Sequence, residues 1–85
     1  MTTLTFNLEP KNTQELQLQK TISHLAANKK HNLTDLVDLI RAAIKAAGLQ
    51  ICIQGTPVHG YELARHSSTR GTWQRELTPW ALIHA

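Results

Sequence analysis

The fold of this chain is decided by the stretch Lys29-Lys30-His31-Asn32-Leu33-Thr34-Asp35-Leu36-Val37-Asp38-Leu39-Ile40. The stretch predicts the end of one short helix, a tight polar turn and the start of a second helix. We expect Thr34 to cap the second helix, because a threonine hydroxyl can accept a backbone N–H group that the first helical turn leaves unpaired. Asp35 follows in the first turn, where the helix dipole favours a negative charge.

Apolar residues at helical spacing continue on both sides of this turn. Asn12 or Thr13 can cap the first helix, which should end near Lys29 or Lys30. Its apolar face comprises Leu18, Ile22, Leu25 and Ala26. The second helix should stop at Gly48, since glycine accepts the left-handed backbone that ends many helices. Its broad apolar face comprises Leu36, Val37, Leu39, Ile40, Ala43, Ile44 and Ala47, whereas Asp38, Arg41 and Lys45 face outward.

Alternation of polar and apolar residues predicts strands at both ends of the chain. Residues 3–8 alternate strictly, which indicates a half-buried strand. Residues 49–54 alternate again, and we expect their exit turn at Gly55-Thr56-Pro57. Residues 61–65 predict a further strand, and the polar residues 66–71 after it predict a loop. The segment from Thr72 to Ile83 has no clean period.

The predicted elements indicate an α+β fold. Residues 1–48 form a strand-helix-helix unit, and residues 49–85 form a β-rich extension that packs on this unit or docks a partner. A single folded unit is expected, because the whole chain has only 85 residues. A chain this short buries a modest part of its surface, so a second copy is a natural source of further stability.

Composition excludes several classes of protein and leaves others open. The formal net charge of +3 permits nucleic-acid binding without requiring it. Cys52 is the single cysteine, so no disulfide can form within the chain, and its apolar surroundings predict a buried thiol. No apolar window could cross a membrane, and a cytoplasmic location is expected. The five histidines lack metal-ligand spacing and no catalytic constellation emerges, so we expect no enzyme, no metal and no cofactor.

The pattern of residues 18–47 resembles a known family. The elements that carry it are Leu18-x3-Ile22-x2-Leu25-Ala26 and, after the turn, Thr34-Asp35-Leu36-Val37-x2-Ile40-Arg41-x-Ala43-Ile44. Together they resemble the two helices of ribbon-helix-helix DNA-binding proteins. Residues 3–8 are similar to the strand of that family, whereas residues 49–85 have no counterpart in it.

This resemblance implies a homodimer that binds DNA. Two copies of strand 3–8 would pair antiparallel into a ribbon that enters the major groove, as in transcriptional repressors, antitoxins and accessory factors of mobile elements. Thr3, Thr5 and Asn7 would point at base edges, since asparagine pairs with adenine and threonine offers a hydroxyl and a methyl group. The phosphate contacts would come from Lys29, Lys30, His31, Asn32 and Thr34.

An alternative hypothesis is a small interaction or inhibitor module that binds a larger protein and no DNA. Strand 3–8 would then pair with residues 49–54 in a single-chain sheet, and the helices would cover one face of that sheet. The long link between strand and first helix favours this arrangement. Its partner surface would comprise Trp73, Arg75 and Trp80, because tryptophan and arginine dominate binding hot spots. Either tryptophan can instead close the core.

Overall fold

Two helices and five strands make up the computed structural model of the chain, which describes residues 3–7, 9–28, 30–75 and 77–84. Their order is β1 (Thr3–Phe6), α1 (Thr13–Ala27), α2 (Leu33–Ala47), β2 (Ile51–Thr56), β3 (Gly60–Thr69), β4 (Thr72–Arg75) and β5 (Ala81–His84). The predicted α+β class is confirmed.

The strands form one antiparallel sheet in the order β1-β5-β3-β2, and β4 pairs with the far end of β3. Residues 3–6 therefore pair with residues 81–84, with Thr3 opposite His84. The predicted pairing of strand 3–8 with residues 49–54 is wrong, because β5 and β3 lie between β1 and β2. The strand of the predicted strand-helix-helix unit belongs to the same sheet as the C-terminal strands.

One face of the sheet packs against both helices. The register places Leu4 beside Ile83 and Ile83 beside Tyr61, so these side chains share the inner face. The buried cluster between the layers comprises Leu18, Ile22, Leu36, Ile40, Ile44, Ile51, Leu63, Trp80, Ala81 and Ile83. Both the N-terminal and the C-terminal half of the sequence thus contribute to the same core.

Asparagine side chains set the starts of both helices. Asn12 accepts a hydrogen bond from the N–H group of Glu15 at 2.8 Å, as expected for a cap of α1. Asn32, however, caps α2 by accepting from the N–H group of Asp35 at 2.8 Å. The prediction that Thr34 is the cap is therefore wrong, because Thr34 already lies inside the helix.

The helix ends agree in part with the sequence pattern. The first helix ends at Ala27, before the predicted Lys29 or Lys30, because the backbone of Asn28 turns to an extended conformation. The second helix ends as predicted: Gly48 adopts a left-handed φ of 67° and donates to the carbonyls of Ile44 and Lys45. The buried face of α2 comprises Leu36, Val37, Ile40 and Ile44. The prediction that Leu39 belongs to this face is wrong, since 37% of it is exposed.

The C-terminal strands are longer than the sequence pattern indicates. Strand β2 runs through Gly55 and Thr56, so the turn is at residues 57–59 rather than 55–57. The loop predicted at 66–71 is wrong, because β3 continues to Thr69 and pairs there with β4. The sequence pattern did not indicate this part of the strand, because its side chains are polar on both faces and polar and apolar residues do not alternate along it. Cys52 is half-buried rather than buried.

A buried ion pair joins α1 to β3. The guanidinium of Arg65 donates to both carboxylate oxygens of Glu15. Its Nη2 lies 2.6 Å from Oε1, and its Nε lies 2.8 Å from Oε1 and 3.1 Å from Oε2. The same Nη2 donates to the carbonyl of Glu9 at 2.7 Å, and the backbone N–H of Lys11 donates to Glu15 at 3.0 Å. Both side chains are over nine-tenths buried. The pair thereby fixes the link between β1 and α1 against the middle of the sheet.

Removing the Glu15 charge should destabilise the fold. Burial raises the pKa of Glu15, but the hydrogen bonds from Arg65 and Lys11 and the charge of Arg65 outweigh it and hold the pKa below its ordinary value. We expect Glu15→Gln to lower the free energy of unfolding at neutral pH by about 3 kcal/mol in urea denaturation, because the buried guanidinium of Arg65 loses the carboxylate charge that it contacts. Asp38→Asn, which removes the exposed pair with Arg41 at 3.7 Å, should change it by less than about 0.5 kcal/mol.

The same group makes stability depend on acid pH. A carboxylate whose pKa is lowered in the folded state contributes its full stabilisation above its ordinary pKa and loses it as the pH falls through the lowered value. The wild type should therefore lose stability more steeply than Glu15→Gln below the ordinary value of 4.5. Parallel pH dependence of the two proteins in urea titrations would contradict this role of Glu15.

Candidate nucleic-acid interface

Strand β1 presents a polar face on the side of the sheet away from the helices. Thr3, Thr5 and Asn7 are all exposed, whereas Leu4 and Phe6 are half-buried against the core. This separation follows from the strict alternation, because successive side chains of a strand point to opposite faces. Leu8, the last residue of the predicted strand, lies outside the described residues.

The backbone of β1 is paired on one side. Asn7 donates its N–H to the carbonyl of Trp80 at 3.1 Å, which directs its backbone groups toward β5. Because alternate residues of an antiparallel strand direct these groups to the same side, Thr5 and Thr3 also face β5. The N–H and C=O groups of Leu4 and Phe6 then point to the outer edge, where no other described strand lies.

A groove runs beside this outer edge. It has a volume of about 680 Å³ and lies between the end of β1, the link and the first turns of α1. Its apolar lining comes from Phe6, Pro10 and Leu16, and 42% of Leu16 is exposed. Leu16 lies off the buried stripe of α1, so the groove leaves apolar surface in water next to unpaired backbone groups.

The predicted phosphate contacts lie at the turn between the helices. Lys30 and Thr34 are exposed and His31 is half-buried, while Lys29 lies outside the described residues. The side-chain oxygen of Asn32 is used to cap α2, and the exposed Asp35 adds a negative charge beside it. The site for a phosphate at this helix start is therefore poorer than the sequence suggests.

The structure does not bring the predicted base contacts and phosphate contacts together. The first helix packs against β1 and the second against β2, and these two strands lie at opposite edges of the sheet. Thr3, Thr5 and Asn7, which the sequence predicts to contact bases, face away from the helical layer. A protein that uses both groups would have to contact DNA with two separate surfaces.

The three predicted partner-binding residues have different environments. Trp80 is completely buried and its ring lies 5.6 Å from that of Phe6, so its placement on a partner surface is wrong and its alternative role in the core is confirmed. The Arg65 guanidinium lies 5.8 Å from the centre of the same ring. Trp73 is 52% exposed, and Arg75 is exposed and forms an ion pair with Glu62.

The sequence patterns missed a hairpin formed by the end of β3 and by β4. Its paired residues run from His66 opposite Arg75 to Thr69 opposite Thr72, with Arg70 and Gly71 as the turn. We call residues 66–75 the hairpin arm. The signal that could have found it is Arg70-Gly71 between two short polar runs, because a glycine at the second position of a two-residue turn is typical of hairpins.

No cluster of three or more histidine, cysteine, aspartate or glutamate side chains that could hold a metal ion occurs in the described part of the chain. Within the same residues, neither helix has the length and the apolar composition that a membrane-spanning segment requires. Comparisons with protein-family models, with curated proteins and with solved structures gave no match.

The two tryptophans should differ sharply in stability and in accessibility. Trp80→Phe should lower the free energy of unfolding by about 1–3 kcal/mol, because it leaves a cavity in the core. Trp73→Phe should change it by less than about 0.5 kcal/mol, since the ring is on the surface. The fluorescence that remains in Trp73→Phe should resist acrylamide quenching, and that in Trp80→Phe should not. Equal quenching of the two variants would contradict these positions.

Proposed function

We propose that this protein binds DNA as a homodimer that pairs through β1 and contacts bases with Thr3, Thr5 and Asn7. The observation that carries the proposal is the outer edge of β1, where the backbone groups of Leu4 and Phe6 have no partner strand among the described residues. Unpaired edges of this kind are templates for pairing with another chain. The resemblance of residues 18–47 to ribbon-helix-helix proteins supports the same function.

Symmetry restricts the register of such a dimer. Residues that face each other across an antiparallel pair lie on one face of the sheet, so an inward Leu4 can oppose only another inward residue. Opposing Leu4 with Phe6 of the partner subunit, and Phe6 with Leu4 of the partner subunit, satisfies this rule and forms four backbone hydrogen bonds. Thr5 then lies on the two-fold axis. Leu4 of the partner subunit then lies opposite Phe6, which lines the groove beside Leu16.

The dimer presents more than a two-stranded ribbon to DNA. Each β1 keeps β5 on its other side, and β3 and β2 follow β5, so the dimer forms one sheet of eight strands whose central four span about 14 Å at the usual strand spacing. A major groove of about 12 Å accepts two strands. Base contacts are therefore confined to the two central strands, while the half-buried Leu82 and His84 on β5 face the sugar-phosphate walls.

An engineered disulfide tests the dimer and its register. On the two-fold axis, the Thr5 residues form a pair without mutual hydrogen bonds, with Cα atoms about 4.5 Å apart, which suits a disulfide. Thr5→Cys in a Cys52→Ser background should give a covalent dimer on mild oxidation, measured by non-reducing electrophoresis. Gln54→Cys in the same background, at the opposite edge strand, should not. A monomer in sedimentation equilibrium without any Thr5→Cys dimer would refute this pairing.

Removing the polar side chains of β1 should reduce the preference of the protein for one DNA sequence over another. The double variant Thr5→Ala/Asn7→Ala should bind a duplex from the gene's own upstream region about tenfold more weakly and bind an unrelated duplex unchanged, because its losses are at base edges. Fluorescence anisotropy at two salt concentrations measures both affinities. Gln54→Ala, an exposed polar change on β2, is the matched control. Unchanged affinity of the double variant for both duplexes would contradict base contact by β1.

A further inference from the structure

The hairpin arm extends beyond the four-stranded part of the sheet. Strand β3 pairs with β2 as far as Arg65 opposite Ile51, and with β5 only over residues 61–63. From His66 onward its ladder partner is β4, and one bond from the His66 N–H to the carbonyl of Gln50 is the last link to β2. Four residue pairs make an arm of two strands about 14 Å long, and its residues 70–75 are exposed.

The tip of the arm has an unusual residue. Arg70 and Gly71 have positive φ angles of 53° and 80°, the combination of a type I′ turn, whose twist matches that of the paired strands. Asparagine or glycine is preferred at the first position of this turn, and Arg70 is the one non-glycine residue with positive φ in the described part of the chain. An arginine at this position costs conformational energy, which favours a role for its exposed side chain.

The arm combines positive charge with polar and aromatic side chains. Residues 66–75 contain two arginines and one histidine and no acidic residue. By register, one face carries His66, Trp73 and Arg75, and the Trp73 ring lies 6.3 Å from that of His66. The other face carries Ser67, Thr72 and Gln74, all exposed hydrogen-bonding residues. Glu62, below the base of the arm, pairs with Arg75, which leaves Arg70 as the cation at the tip.

We infer that the hairpin arm binds a groove of duplex DNA. A two-stranded ribbon is the width that a major groove accepts, whereas β1 in this chain is flanked by β5. Arg70 at the tip can reach a phosphate or the two acceptors of a guanine, and Gln74 can pair with an adenine. Trp73 packs against the sugar-phosphate wall with its exposed half. This contact deepens the proposed DNA binding and requires no pairing of two copies.

The decisive variant separates turn stability from charge. Arg70→Asn places a preferred residue at the first turn position, so the melting temperature should stay equal or rise. The same change should weaken binding to a mixed-sequence duplex of about 30 base pairs roughly tenfold and reduce the salt slope by about 1, because one cationic contact is lost. Arg70→Lys should restore the salt slope. Val58→Ser, which changes an 85% exposed residue in the β2–β3 turn, is the matched control.

The outcomes distinguish the arm from the surface of β1. Loss of affinity in Arg70→Asn and in Trp73→Ala, with stability retained, supports the arm whether or not Thr5→Ala/Asn7→Ala is affected. If both arm variants bind DNA with full affinity while Thr5→Ala/Asn7→Ala binds it more weakly, DNA binding by the hairpin arm is overturned and the proposed function stands. Absence of wild-type binding to the duplex at low salt would overturn both. Binding of a single strand alone, or of a protein through Trp73, would also overturn the inference.

Discussion

The contact between Arg65 and Glu15 is the constraint on which the arrangement of this molecule depends. One guanidinium holds a carboxylate of α1 and the carbonyl of Glu9, and it lies against the ring of Trp80. The contact therefore fixes the helical layer, the link after β1 and the segment before β5 at one point of β3. A buried ion pair adds little to the free energy of unfolding compared with well-packed apolar residues in its place. An arrangement that separates the two charges, however, is strongly destabilised.

Local signals in the sequence predicted the local structure well. The apolar stripes of both helices, the asparagine before α1 and the glycine after α2 act within a few residues, so they can be recognised without the rest of the chain. The cap of α2 was missed because Asn32 and Thr34 are both good caps, and only the backbone conformation chooses between them. Alternation at residues 3–6 gave the strand and its two faces, but alternation carries no information about the neighbouring strand.

Long-range pairing and the candidate site were therefore the harder part. That β1 pairs with β5 depends on contacts across the whole sequence, and no motif in residues 72–84 indicates the partner. The hairpin arm was missed because a strand pair exposed on both faces lacks the apolar alternation that marks half-buried strands. Trp73 has polar neighbours in the sequence, whereas Trp80 precedes the apolar residues 81–83, and the structure buries Trp80 and leaves Trp73 half exposed.

The pairing of β1 with β5 also has a consequence for synthesis on the ribosome. Strand β1 is translated before the other described strands, yet its neighbour in the sheet is β5, the last of those strands in the sequence. Until β5 is translated, Leu4 and Phe6 lack the strand beside which they pack, while the helices and the β2–β3 hairpin can already form from nearby contacts. The nascent chain thus carries an unpaired apolar segment until β5 has left the ribosome, and the pairing of β1 completes the sheet that the structure describes.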